Sequence, residues 1–120
     1  MNSFAQPPGF IDKVYASGFS QVIGLTFDDL GRMYVWERGG EIYVVEDGLR
    51  TTNPILDLSD EVGGWRDFGL LSVQLDPDYL NNGHIYMLYT VDFNHVYLGD
   101  PTKDKFFAAF GRITRYTVTY

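Results

Sequence analysis

Thr26-Phe27-Asp28-Asp29, then Gly31-Arg32-Met33-Tyr34-Val35, then Gly40-Glu41-Ile42 is a pattern that this chain states twice. The second statement runs Gln74-Leu75-Asp76-Pro77, Gly83-His84-Ile85-Tyr86-Met87 and Gly111-Arg112-Ile113. The first pieces are offset by 48 residues (26 to 74), the second by 52 (31 to 83) and the third by 71 (40 to 111). The second copy therefore carries a long insertion between its second and third strands. A repeat of roughly 40 to 50 residues built from four short strands has the period of a β-propeller blade. The competing reading is a sandwich or barrel whose strands resemble one another only as all strands do.

The rest of the chain agrees with an all-β reading. Short β-type runs fall at residues 13–17, 22–28, 32–37, 41–46, 54–58, 70–75, 84–90 and 112–119, and no long stretch carries helical apolar spacing. Asp28-Asp29-Leu30-Gly31, Arg38-Gly39-Gly40, Glu46-Asp47-Gly48 and Asn81-Asn82-Gly83 supply the positive-φ residues of tight reversals, so the runs should form antiparallel meanders. Aromatic residues (2 Trp, 9 Tyr, 9 Phe) and 13 Gly favour strands and turns over helices. Residues 22–58 make one four-stranded blade and residues 70–119 three strands of a second. Residues 13–17 are left over as the outer strand of a closing blade. A closed propeller usually needs at least about four blades, so two blades require further blades from the same chain or from other chains.

Charge and cysteine content narrow the function. With 16 acidic against 9 basic residues the net charge is −7, which repels phosphate and argues against a nucleic-acid partner. There is no Cys, hence no disulfide and no thiolate chemistry. No apolar run is long enough for a membrane span, and the first residues lack the pattern of a signal peptide. Nucleophile elbows, phosphate-binding Gly loops and His-x-x-x-His pairs are absent.

Strand alternation sorts the loops into two faces. The links at residues 17–21, 38–40, 59–68 and 91–110 emerge on one face, and the longest connections are among them. Binding usually resides on such loops. This candidate ligand face carries Glu37, Arg38, Asp60, Glu61, Trp65, Arg66, Asp67, His95, Tyr97, Phe106, Phe107 and Phe110. Trp65 with Arg66 could stack on a planar ligand or hold the loop down. Asp57, Asp60, Glu61 and Asp67 are close enough in sequence for a general acid and base, although acidic loops are usually solvated. His95 reads as a surface imidazole able to titrate near neutral pH, and His84 as a structural residue at a strand start. On the opposite face, Asp76, Asp78 and Asn81 read as turn residues; their oxygens would also suit a hard cation, without EF-hand spacing.

Gly31-Arg32-Met33-Tyr34-Val35-Trp36-Glu37-Arg38-Gly39-Gly40-Glu41-Ile42, then Ile55-Leu56-Asp57-Leu58-Ser59-Asp60-Glu61-Val62, then Phe68-Gly69-Leu70-Leu71 through Leu75-Asp76-Pro77-Asp78-Tyr79 to Asn82-Gly83-His84-Ile85-Tyr86 resemble the N-terminal third of the glucose/sorbosone dehydrogenase family. The resemblance covers about residues 8–119, and implies about two blades of a six-bladed propeller. It implies pyrroloquinoline quinone (PQQ) and calcium as cofactors of the complete protein, oxidation of a sugar at C1, and an extracellular or periplasmic location. Relatives place Glu or Gln two positions before Gly-Leu-Leu at the mouth of the quinone pocket, which makes Asp67 the cofactor-binding candidate. The family's catalytic His lies beyond this segment, so no catalytic residue is assigned here. The same fold includes the propeller of Hedgehog-interacting protein, which leaves open a non-catalytic binding or structural module that could close a ring by oligomerisation.

Overall fold

The computed structural model describes residues 7–99 and 108–119. Its described residues form two antiparallel sheets stacked face to face. The first contains β1 (Val22–Phe27), β2 (Met33–Glu37), β3 (Glu41–Glu46), β4 (Leu49–Arg50) and β5 (Leu56–Asp57). The second contains β6 (Leu70–Leu75), β7 (His84–Asp92) and β8 (Ala108–Thr117), with short helices α1 (Tyr79–Asn82) and α2 (Phe93–Leu98) after β6 and β7. The blade architecture expected from the repeat is present.

The repeat is visible in the hydrogen bonding itself. Both inner strands carry a register break at the same place, between Val22 and Gly24 in β1 and between Leu70 and Ser72 in β6. Met33 pairs with Phe27 as Ile85 pairs with Leu75, and Ile42 pairs with Trp36 as Ile113 pairs with Leu88. The offsets of 48, 52 and 71 residues are thus the registers of two equivalent blades.

Alternation along the strands builds the core between the sheets. Tyr34, Trp36, Ile42 and Val44 of the first blade face Leu70, Val73, Ile85, Met87, Tyr89 and Val91 of the second, all buried. Trp36 determines how closely β1 and β2 lie, because a Cβ on Gly24 would overlap its indole. Tyr34 and Tyr79 meet edge to face with centroids 5.6 Å apart, seating α1 against the first blade.

Several local expectations change. The single fourth strand expected at 54–58 is two short strands, β4 and β5, sharing the outer edge of β3. The reason lies at Asp47-Gly48: both have positive φ and turn the chain back at once into β4. Residues 13–17 form no strand among the described residues, which do not include a closing blade for them to complete. Among the described residues, the expected loop at 91–110 carries regular structure: β7 runs on to Asp92, α2 follows, and β8 begins at Ala108. The Asp92 side chain accepts from the His95 N–H at 3.0 Å, so an N-cap starts a helix too short to show periodicity. Phe110 accordingly lies in β8 opposite Val91. Phe106 and Phe107 lie outside the described residues.

Candidate functional site

Arg38 follows β2, and its backbone ties the starts of both inner strands. Its N–H donates to Gln21 O at 2.9 Å, and its carbonyl accepts from the Leu70 N–H at 2.9 Å. Gly69 passes directly against it with φ +144°, and a Cβ there would stand 2.5 Å from both Arg38 Cγ and Arg38 O. The Gly of the Gly-Leu-Leu motif is therefore required by a crossing of two chain segments. The Arg38 guanidinium reaches over this crossing to donate from Nη1 to Arg66 O at 3.1 Å, while Arg38 Nε is buried without a hydrogen-bond partner among the described residues.

Thr90 closes the loop that follows. Its Oγ1 donates to Gly63 O and accepts from the Gly69 N–H, both at 2.9 Å, and its backbone N–H donates to Gly69 O. Residues 63 and 69 are pinned to one residue of β7, so the intervening tip, with Trp65, Arg66 and Asp67, is presented as a tight projection. The Phe68 N–H donates to Trp65 O, and Arg66 adopts φ +55°, a conformation non-glycine residues take at a cost. The Arg66 guanidinium lies 4.3 Å from the Trp65 ring centroid. This stacking offsets part of that cost and leaves an exposed cation on an aromatic platform.

A second group sits at the other end of the loop. Glu61 accepts a hydrogen bond from the Tyr89 hydroxyl, and its other oxygen lies 3.8 Å from His95 Nε2 and 3.9 Å from Arg112 Nη1. The Asp92 N–H donates to Glu61 O at 2.7 Å. Burial, and then the Glu61 carboxylate, push the Tyr89 phenol up, so it remains a donor throughout the ordinary pH range.

The structure brings Arg38, Trp65 and Arg66 together, with the exposed Asp67 adjoining them. It places His95 with Glu61 instead. Tyr89 and Arg112 were not apparent as partners of Glu61, because only the β7–β8 register puts them side by side. Asp57 turns to the Ser59 N–H and to β3. On the opposite face the Asp76 side chain accepts from the Asp78 N–H, Asn82 and the Tyr86 hydroxyl, which is a turn-building role.

The sequence pattern of the Glucose / Sorbosone dehydrogenase family matches residues 2–105. The chain belongs to the glucose/sorbosone dehydrogenase family. Its fold is similar to that of the PQQ-bound aldose sugar dehydrogenase of Streptomyces coelicolor, with TM-score 0.63 and 23% identity over 86% of this chain and 26% of that one. It is also similar to a protein of Thermus thermophilus described as an oxidoreductase (glucose dehydrogenase), with TM-score 0.64 and 21% identity over 86% of this chain and 26% of that one. This glucose/sorbosone dehydrogenase segment thus spans about a quarter of the length of those solved structures. No curated protein matches it.

The loop tip gathers positive charge and an aromatic face. Arg66 offers an exposed guanidinium, Trp65 an aromatic face, and Arg38 a second positive charge beneath the same loop. Among the described residues, no group of three or more His, Asp or Glu side chains is arranged to hold a metal ion.

Proposed function

We propose that this chain forms the N-terminal blades of a PQQ-dependent sugar dehydrogenase, which in its complete form oxidises an aldose at C1. The observation that carries this reading is the family match across the loop built by Gly69, Thr90 and Arg38, in a chain whose fold is that of a PQQ-bound aldose sugar dehydrogenase. PQQ, when bound, supplies the two-electron acceptor for the sugar. The residues of this segment contribute binding and orientation: Arg66 and Arg38 complement carboxylate charge, Trp65 offers a stacking surface, and Asp67 stands at the cofactor mouth. Calcium belongs to this reading through the family alone, since the described residues give it no ligand set. The location is extracellular or periplasmic on the same ground. No helix of the described residues is long and apolar enough to cross a membrane.

Titration of the complete protein, of which this chain forms the N-terminal blades, with PQQ, followed by tryptophan fluorescence and by dye reduction with aldoses, tests this reading. Quenching that saturates, together with aldose-dependent dye reduction by the complete protein, is expected, whereas the 120-residue segment by itself should not turn over. Arg66→Ala should weaken PQQ binding about tenfold, the worth of one charge-assisted hydrogen bond. Absence of both quenching and turnover favours the second reading, a binding module. That reading rests on the exposed Phe93, Tyr97 and Leu98 of α2 beside the same loops.

A further inference from the structure

Side chains from β7, α2 and β8 converge on Glu61. Its Oε1 accepts from the Tyr89 hydroxyl, while its Oε2 lies 3.8 Å from His95 Nε2 and 3.9 Å from Arg112 Nη1. Tyr89 pairs with Arg112 across β7 and β8, on the side of the second blade that packs against the first. Glu61 also begins the stem of the loop that carries Trp65, Arg66 and Asp67. The Asp92 N–H donates to Glu61 O at 2.7 Å, Val62 bridges Val91, and the Gly63 N–H donates to Thr90 O at 2.9 Å. Residues 61–63 thus run along the end of β7 as far as the Thr90 hydroxyl that clasps Gly63 and Gly69.

We propose that His95 is a pH-dependent positioning residue for the loop tip: as an imidazolium it holds α2 to the Glu61 stem, and as a neutral imidazole it lets the two part. The consequence for the cofactor rests on the reading of that tip as one edge of the quinone site. Histidine is the side chain whose charge changes between about pH 5 and 8. The groups packed around it supply a fixed background. Glu61 faces His95 with a carboxylate, and the buried Asp92 accepts from its N–H at 3.0 Å. Arg112 stays charged. Burial, and then Glu61, push the Tyr89 and Tyr116 phenols up, so both remain neutral. A cation that gains a carboxylate partner stabilises the closed arrangement in acid, and that contribution is lost as pH rises through its titration. Arg112 competes for the same Glu61 oxygen, and the His95 side chain is 35% exposed, which keeps the gain to a few-fold. The stem, and with it the tip bearing Trp65 and Arg66, is held more firmly in mild acid than in base.

Amide exchange at Gly63, Gly69 and Asp92 of the complete protein, without cofactor and corrected for the intrinsic pH dependence of exchange, tests the positioning directly. Protection should be about threefold greater near pH 5.5 than near pH 8.5. His95→Gln, which keeps a polar side chain without the charge, should remove that difference. His95→Arg, charged at both ends of the range, should keep the acid-like protection throughout. PQQ affinity, read by tryptophan fluorescence, should tighten about threefold in acid and lose this dependence in His95→Gln. Exchange without a pH difference, a difference that persists in His95→Gln, or PQQ affinity that does not follow the exchange overturns the inference. Exchange that behaves as expected while no PQQ binds at any pH supports the positioning of the loop by His95 and instead overturns the cofactor reading of the tip.

Discussion

Ile42 and Ile113 hold the same place in their blades, opposite Trp36 and Leu88 respectively, yet one is sealed from water and the other stands in it. The Asp turns show the same contrast on a polar background. Asp28 accepts from the Leu30 and Arg32 N–H groups, Arg32 Nε and the Tyr34 hydroxyl, and is buried. Asp76 accepts from the Asp78 N–H, Asn82 and Tyr86, with His84 4.0 Å away, and remains partly open. Both turns also close on the same backbone bond, Asp28 N–H to Arg32 O at 3.0 Å and Asp76 N–H to His84 O at 2.9 Å. Local sequence therefore builds each blade, while the neighbouring blade decides what each position is worth.

The largest contrast should come from truncating the equivalent pair Trp36 and Leu88. Trp36→Ala should cost about 4 kcal/mol because it empties a filled core site. Leu88→Ala should cost less than about 1 kcal/mol, since its site is already half open. Equal losses in urea unfolding would mean that the second blade's free face is covered in solution. Gly69→Ala should follow at about 3 kcal/mol, combining a positive φ with a collision against the Arg38 backbone. Gly111→Ala, where nothing lies within 4 Å, should be nearly silent in the same melts.

The Asp turns give the next test. Asp28→Ala should cost about 2 kcal/mol by stranding the Tyr34 hydroxyl and two backbone donors. Asp76→Ala should lower the melting temperature by less. Burial raises the Asp28 carboxyl, but hydrogen bonds from the Arg32 side chain, its backbone and Tyr34 more than offset this and hold it below the usual carboxylate value. Hydrogen bonds from the Asp78 backbone and from Asn82 hold Asp76 low as well. Carboxyls depressed in the folded state contribute stability above their unfolded value, near 3.8, that is lost as pH falls below it. Stability should thus drop below about pH 4, and Asp28→Asn should flatten that drop more than Asp76→Asn.

The smallest expected effect lies on the first blade's free face. Burial, a hydrogen bond with Glu37 and the charge of Asp57 raise the Glu41 carboxyl. A raised carboxyl favours folding below its unfolded value and opposes it as pH climbs through the folded value. Glu41→Gln should therefore gain a few tenths of a kcal/mol at neutral pH, solvent screening holding the effect small. The gain should vanish in acid, as read by thermal melts across pH.

Much of this was legible in the residues. The repeated Asp turns and the pairs Tyr34/Tyr86 and Ile42/Ile113 mark equivalent positions because tight reversals and strand registers depend on near neighbours in the chain. The loop tip at Trp65, Arg66 and Asp67 was also legible, because a long connection between strands must emerge at the end of the sheets. The split of the outer strand into β4 and β5 and the short helix α2 were not, since both are too brief to show a period.

The amino-acid sequence alone determined the blade, its repeat and the acidic, cysteine-free character of the chain, all properties of local spacing and composition. Tertiary structure decided which residues meet. Thr90 clasps Gly63 and Gly69 across more than twenty positions, and Glu61 gathers Tyr89, His95 and Arg112 from β7, α2 and β8. It also decided which of two equivalent isoleucines is buried. Burial is a relation between surfaces, and a strand carries only one of the two surfaces involved.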